Sequence, residues 1–428
     1  MPSGRLERLF RFGGMATGIA SGMMLDGVMQ LATGKRPTLG ELLMTPANAL
    51  KITMQLSQMR GAAMKLGQLI SMDAGDILPA ELTAILGRLR ADAQHMPQQQ
   101  LDIVLTKNWG KDWRKKFSHF DDAPIAAASI GQVHRAMTID GRDVAIKVQY
   151  PGVRKSIDSD VDNVATLLRL SNLLPRALDV VPVLAETKRQ LHEEADYARE
   201  GAYLCQFRNM LADAADFSVP IFHADLSSDD VLVMSYEDGI AIEDLAEMQQ
   251  EERDRAAALL IELVLRELFE FGVMQTDPNF ANYRYDLKTR QIILLDFGAA
   301  QVLEDDIVQH YRVLLKHALA GDSGAMFDAA LAIGFFNEHT ASRHRPEIDN
   351  MLTMALEMLR TNGPYDFGNA ALSGQLRDQG MDIAADRNNW HVPPVATLFV
   401  QRKLGGVYLL ASKLRAKVDV RLIMQRYV

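Results

Sequence analysis

One cysteine, Cys205, stands in a chain of 428 residues. That excludes an intramolecular disulfide framework and any cysteine-based zinc site, and it points to a reducing compartment. Basic clusters are missing too: 46 Lys and Arg against 55 Asp and Glu leave a net charge of -9. Phosphate-backbone binding needs grouped cations that release counterions, so nucleic acid is excluded as the main partner. No uncharged apolar run reaches the length of about eighteen residues that marks a spanning helix. The nearest approach, Phe12 to Leu25, stops at Asp26. Repeats and low-complexity tracts are absent. What remains is ordinary globular composition, 48% hydrophobic and 24% charged, in a chain long enough for two lobes and a good core.

Arg5, Arg8 and Arg11 look like the basic start of a secretory signal. The stretch that follows is Gly-rich rather than Leu-rich and lacks a small-x-small cleavage site, so it is expected to be retained, on the cytoplasmic or organelle-matrix side. Gly14, Gly18 and Gly22 fall every fourth residue. Two readings stand side by side. A flexible leader is one, since each Gly costs about 1 kcal/mol in a helix relative to Ala. The other is a peripheral membrane or self-association helix, with an anionic lipid surface or a homodimer partner as its target.

From Ile52, apolar residues at Leu56, Met59, Ala63, Leu66 and Ile70 recur at alternating spacings of four and three, which predicts an amphipathic helix ending near Asp73 to Gly75. Gly61, Lys65 and Gln68 share another face, within roughly 60° of each other. A solvated surface is the default for such residues, with Gly61 allowing something to pack close to Lys65. Between Pro124 and Tyr150 the period changes to two. Ala126-Ala127-Ala128-Ser129 reads as a loop of small residues, Gly131 to Met137 as a strand, Asp140-Gly141 as a hairpin turn, and Val144, Ile146, Val148 and Tyr150 as the apolar face of a second strand with Lys147 opposed to it. After Pro182 the sequence predicts a helix running through His192 to Glu200. On it Glu193, Asp196 and Glu200 share one face and Glu194 projects about 120° away from Glu200.

Val231 to Met234 reads as a short strand, Ser235 to Gly239 as a turn-rich connector, and Glu251 to Phe271 as a long helix with Leu259, Leu260, Leu263, Val264 and Leu268 inside, ending at Gly272. An apolar strand, Ile292 to Leu295, then delivers Asp296-Phe297-Gly298. It is preceded by Thr276-Asp277-Pro278-Asn279-Phe280-Ala281-Asn282, with Asp277 and Asn282 five apart. Asp-Phe-Gly alone is as often a plain turn. Together with the upstream loop it is how protein-kinase-like enzymes hold magnesium around ATP phosphates. Beyond Gly298 amphipathic helices follow, with breaks near Gly321, Gly363-Pro364 and Pro393-Pro394.

Lys65-Leu66-Gly67-Gln68, the Ala-rich loop running into Ser129-Ile130-Gly131-Gln132-Val133-His134, Val144-Ala145-Ile146-Lys147, Glu194-Ala195-Asp196, Thr276 to Asn282 and Asp296-Phe297-Gly298 together resemble the UbiB or AarF family of atypical protein-kinase-like proteins. The wording is nearest its coenzyme-Q-biosynthesis branch. The resemblance runs motif by motif over about residues 47 to 310 and more loosely beyond. It implies an α+β, bilobal protein-kinase-like fold with an added N-terminal helical K-x-G-Q segment and a helix-rich C-lobe. The parts would be 1–46 as leader, 47–122 as the K-x-G-Q extension, 123–235 as N-lobe and 236–428 as C-lobe.

By the same resemblance, Mg-ATP is the cofactor. Ala126, Ala127, Ala128, Ser129 and Gln132 form the loop over the nucleotide, Lys147 contacts its phosphates and pairs with Glu200, and Asn282 and Asp296 hold Mg2+. Asp277 sits where a kinase's catalytic base sits, and Lys65 lies near the acidic pair Glu194 and Asp196 across the cleft. Departures from ordinary kinases are also visible. Ala replaces the Gly of the phosphate loop, Gln275-Thr276 precede Asp277 in place of His-Arg, and no Ala-Pro-Glu element follows Asp-Phe-Gly, so a peptide groove is not expected. The implied function is an ATPase supporting ubiquinone biosynthesis at a membrane surface, with quinone-biosynthesis proteins or lipid precursors as partners. A small-molecule, lipid or protein kinase and a nucleotide-binding scaffold are the alternatives.

Overall fold

Antiparallel pairing organises the first half of the chain. A computed structural model describes residues 56, 59–73, 95–170, 180–361, 363–369 and 393–428. The leader with Arg5, Arg8, Arg11, Gly14, Gly18 and Gly22, the first stripe residue Ile52, and the side chains of Gln68 and Ile70 lie outside what it describes. The chain divides into two units: residues up to Gly201 with Phe222–Tyr236, and Ala202–Ile221 with Glu237–Val428.

In the first unit a sheet runs in the order β1 (Phe117–Phe120), β3 (Gly131–Thr138), β4 (Asp143–Gln149), β6 (Val231–Ser235), with β2 (Ala126–Ala127) also paired to β3. Every pair is antiparallel. The period of two in β4 decides what each face does. Val144, Ile146 and Val148 join Leu101, Val104 and Leu105 of helix α2 (Gln98–Trp109) in one buried cluster, which covers that face of the sheet. Lys147 and Gln149 point to the other face. Helices α1 (Arg60–Asp73), α3 (Val153–Leu170) and α4 (Val180–Glu194) pack against one another in the same unit.

Two expectations are corrected here. Ala126 and Ala127 are not free loop: they pair in register with Val133 and Gln132, and the loop proper is the short turn closed by Ala128 N–H on the Gly131 carbonyl at 2.9 Å. The helix through His192 to Glu200 is also broken. It stops at Glu194 and restarts as α5 (Tyr197–Met210), because the Asp196 carboxylate accepts the Arg199 N–H at 3.1 Å and caps the new helix. Face arguments across Ala195–Asp196 therefore do not hold.

The second unit holds a small sheet in the order β5 (Phe217–Ser218), β10 (Ile292–Leu294), β9 (Tyr283–Tyr285), β7 (Ile240–Ala241), and a separate pair of β8 (Val273–Gln275) with β11 (Ala300–Val302). Helix α6 (Gln250–Arg266) runs into a single π turn, Glu267–Phe271, that ends at Gly272, as the sequence predicts for this segment. Leu260, Leu263, Val264 and Leu268 are buried, while Leu259 is only half-buried. Helices α7 (Asp305–Ala320), α8 (Ser323–Ile333), α9 (Arg345–Ala355) and α10 (Val395–Lys413) follow. Gly321 closes α7 and Pro394 precedes α10, where the breaks are expected.

Candidate functional site

Each unit gathers one group of the sequence-predicted residues. In the first, Lys147 on β4 sits opposite Val133 and Leu232 in the ladder. Its Nζ donates to Glu200 Oε1 at 2.8 Å and Oε2 at 2.9 Å. The two side chains are 9% and 1% exposed. Glu200 lies in the first turn of α5, where the helix N-terminus favours a carboxylate. Gln149, two residues along the same face, donates from Nε2 to the Ala195 carbonyl at 2.7 Å. It fixes the chain where α4 gives way to α5, and no sequence motif singles it out.

Lys65 is buried, at 4% exposure, rather than solvated as helix position alone predicts. Its Nζ donates to Glu194 Oε1, and the other oxygen of that carboxylate accepts from Ser129 Oγ at 2.8 Å. A Cβ on Gly61 would stand 3.0 Å from both Ile130 Cγ2 and the Ser129 carbonyl oxygen. The absent side chain thus lets α1 lie directly on the end of the Ala-rich loop. One carboxylate, Glu194, therefore joins the Lys-x-Gly-Gln helix to that loop. Asp196 caps α5 through Oδ1 instead.

Gln132 turns away from the loop. Fully buried, it accepts the Met96 N–H on Oε1 at 2.7 Å, and its Nε2 lies 2.8 Å from His134 Nε2. His134 Nδ1 is 2.8 Å from the Asp121 carbonyl. Donation there leaves Nε2 as the acceptor for the Gln132 amide, and burial pushes the imidazole below its ordinary range, so it stays neutral. This network anchors the segment before α2. Ala126 and Ala127 are exposed, Ala128 is half-buried and Ser129 is exposed.

In the second unit the hairpin of β9 and β10 does the positioning. Tyr283 pairs with Leu294, and Leu295 N–H donates to the Asn282 carbonyl at 3.0 Å, which sets Asn282 and Asp296 at the same end of the hairpin. Asn282 Nδ2 is 3.3 Å from both the Asp277 carbonyl and Asp277 Oδ2. Asp296 Oδ1 accepts the Gly298 N–H at 2.9 Å, and Phe297 is buried against Phe207 with ring centroids 4.8 Å apart. A cavity with room for about one water is lined by Asn282, Asp296, Gln275, Glu267 and Lys403, among others.

Two of those residues, and a third beside them, escape sequence reasoning. Arg402 on α10 donates to Asp277 Oδ1 at 3.0 Å, the side chains being 10% and 22% exposed. Lys403 next to it is 1% exposed and donates to Tyr283 OH at 2.9 Å and Gln275 Oε1 at 3.2 Å, with Glu267 Oε2 also at 3.2 Å. Burial pulls the Lys403 ammonium down, but Glu267 and Tyr283 outweigh it and hold the ammonium above its ordinary range. Burial also pushes the Glu267 carboxyl up, and Lys403 pulls it back only in part. In the sequence the sole trace of these roles is a pair of cations inside an apolar helix, followed by Gly405-Gly406.

Known proteins match this chain along most of its length. The ABC1 atypical kinase-like domain matches residues 88–330. Atypical kinase COQ8, mitochondrial, of Saccharomyces cerevisiae is 36% identical over 98% of this chain and 83% of its own length. Atypical kinase COQ8B, mitochondrial, of Rattus norvegicus is 35% identical over 99% and 80%. Among solved structures, Rv3197 of Mycobacterium tuberculosis, determined in complex with erythromycin, superposes with a TM-score of 0.63 at 26% identity. That match covers 91% of this chain and 97% of the other.

Proposed function

Because this chain belongs to the ABC1, or UbiB/AarF, family of atypical kinase-like proteins and is thereby a kinase-like phosphotransferase or ATPase, we propose that it binds Mg-ATP and hydrolyses it in support of ubiquinone biosynthesis at a membrane surface. The observation that carries the nucleotide reading is the buried two-bond pair of Lys147 and Glu200. A lysine kept charged and aimed by a helix glutamate is what kinase-type enzymes use to hold nucleotide phosphates.

The donor set of the second unit suits magnesium. Asn282 turns its amide nitrogen to Asp277, so its carbonyl oxygen is the end presented, and Asp296 adds a carboxylate. Hard oxygens in small number suit an ion that keeps waters and substrate phosphates as its other ligands. Among the described residues no three His, Cys, Asp or Glu side chains gather into a fuller cage. When bound, the ion neutralises charge on the transferring phosphoryl group. Asp277, held by Arg402 and Asn282, is the group placed to accept a proton from water or an acceptor hydroxyl.

Several finer parts rest on sequence and family. The three leader arginines and the Gly-striped apolar stretch support attachment to anionic lipid. The mitochondrial relatives support an organelle-matrix location, and quinone precursors or their enzymes are the partners this reading names. Among the described residues no helix is long and apolar enough to cross a membrane.

The test is ATP turnover by the full chain with and without anionic vesicles and quinone-precursor mimics, alongside the thermal shift produced by Mg-ATP. Turnover that rises with vesicles, and an Asp296→Asn protein that folds but loses the Mg-ATP shift, are expected. An unchanged shift in that variant puts the metal elsewhere. Phosphate appearing on a protein or lipid acceptor instead of in solution makes the chain a kinase. Slow hydrolysis indifferent to vesicles makes it a scaffold.

A further inference from the structure

Helix α10 touches the catalytic loop more closely than side chains allow. A Cβ on Gly406 would stand 2.1 Å from Pro278 Cβ, so the helix backbone lies directly on the residue after Asp277. Arg402 is one turn earlier and on the same face. Its guanidinium is nine-tenths buried and donates to Asp277 Oδ1 at 3.0 Å. Lys403, fixed by Tyr283, Gln275 and Glu267, stops the helix from rotating about its axis. The other Asp277 oxygen has a weaker hold, the 3.3 Å contact with the Asn282 amide.

We propose that Arg402 is a positioning residue of the phosphoryl-transfer site, a cation delivered from the C-terminal helix that orients the Asp277 carboxylate through Oδ1 and leaves Oδ2 to face the reaction. This rests on the reading of Asp277 as the group that acts at the nucleotide. An exposed pair of this kind would contribute little. Here burial and the locked helix make the geometry definite, and small misplacement of a reacting group lowers rate steeply. The sequence departures fit: with Gln275-Thr276 ahead of Asp277 and Asn279 two residues after it, the loop itself supplies no basic side chain.

The experiment is a double-mutant cycle on the full chain: wild type, Arg402→Met, Asp277→Asn and both together, read by ATP turnover, KM for ATP and the Mg-ATP thermal shift. Arg402→Met is expected to lower kcat by about 10- to 100-fold, with KM and the thermal shift retained. Millimolar guanidinium ion should restore part of the lost rate. In the Asp277→Asn background the same substitution should cost nothing further, because the residue acts through Asp277. Equal losses in both backgrounds, or unchanged turnover, overturn the proposal. Should Arg402→Met fail to fold, Arg402→Lys carries the cycle: it keeps the charge and loses the fork. A wild type with neither turnover nor a Mg-ATP shift overturns the nucleotide reading itself. Wild-type turnover with additive losses overturns only the role of Arg402.

Discussion

Glu200 is almost fully buried and its carboxylate is committed to Lys147, so the cost of removing it falls mainly on the lysine left behind. Glu200→Ala should destabilise the protein by about 3–5 kcal/mol, the usual cost of leaving one charge of a buried pair alone, and weaken ATP binding as well. Urea unfolding and the Mg-ATP thermal shift measure the two effects. Replacing both partners, Lys147→Met with Glu200→Leu, should recover part of the stability but none of the binding. Loss of stability without loss of binding would make the pair purely structural. Lys147 was legible because loop, strand, tight turn and strand precede it in a fixed order. Lys65 was not legible from periodicity: it lies off the apolar stripe, and its partner Glu194, itself held by Ser129, is far away in sequence. Gln132 misled for the opposite reason. It adjoins the Ala-rich loop in sequence, but strand alternation turns its amide toward Met96 and His134.

At the scale of elements, the strands, the hairpin turn, the helix ending at Gly272 and the helix breaks at Gly321 and Pro393-Pro394 could be read from period and punctuation. The joint between α4 and α5 could not. Asp196 caps α5, but the residue three places on is Arg199 rather than Glu or Gln. The reciprocal capping signature is therefore missing, and every residue around it tolerates a helix. The seating of α10 was equally hidden, because a glycine pair inside a helix does not say what lies against it. Gly405 and Gly406 make a matched test. A Cβ at Gly405 meets nothing within 4 Å, whereas at Gly406 it runs into Pro278. Gly405→Ala should stabilise by up to about 1 kcal/mol through helix propensity. Gly406→Ala should destabilise by about 1–3 kcal/mol through overpacking and depress ATP turnover by shifting the Asp277 loop. Thermal melts and steady-state rates distinguish them, and like behaviour of the two variants would mean that α10 does not bear on the loop.

For the whole molecule, a net charge of -9 opposes approach to an anionic bilayer, so any electrostatic attraction has to come from a local group of cations. Arg5, Arg8 and Arg11 are that group in the leader. Deleting residues 1 to 34 should weaken cosedimentation with anionic vesicles severalfold, and raised salt should weaken the full chain in the same direction. Equal binding by the two proteins would place the anchor elsewhere. The second unit carries a further consequence, one of timing. Arg402 and Asp277 are separated by 125 residues, a stretch that a ribosome takes about 6–25 s to make at about 5–20 residues per second. Throughout that interval Glu267 has no ammonium beside it, and burying it alone is unfavourable. The Asp277 loop therefore lacks both of its α10 cations while it is being made. The chain carries its own clock: the Asp277 carboxylate meets its guanidinium partner only after α10 has been synthesised.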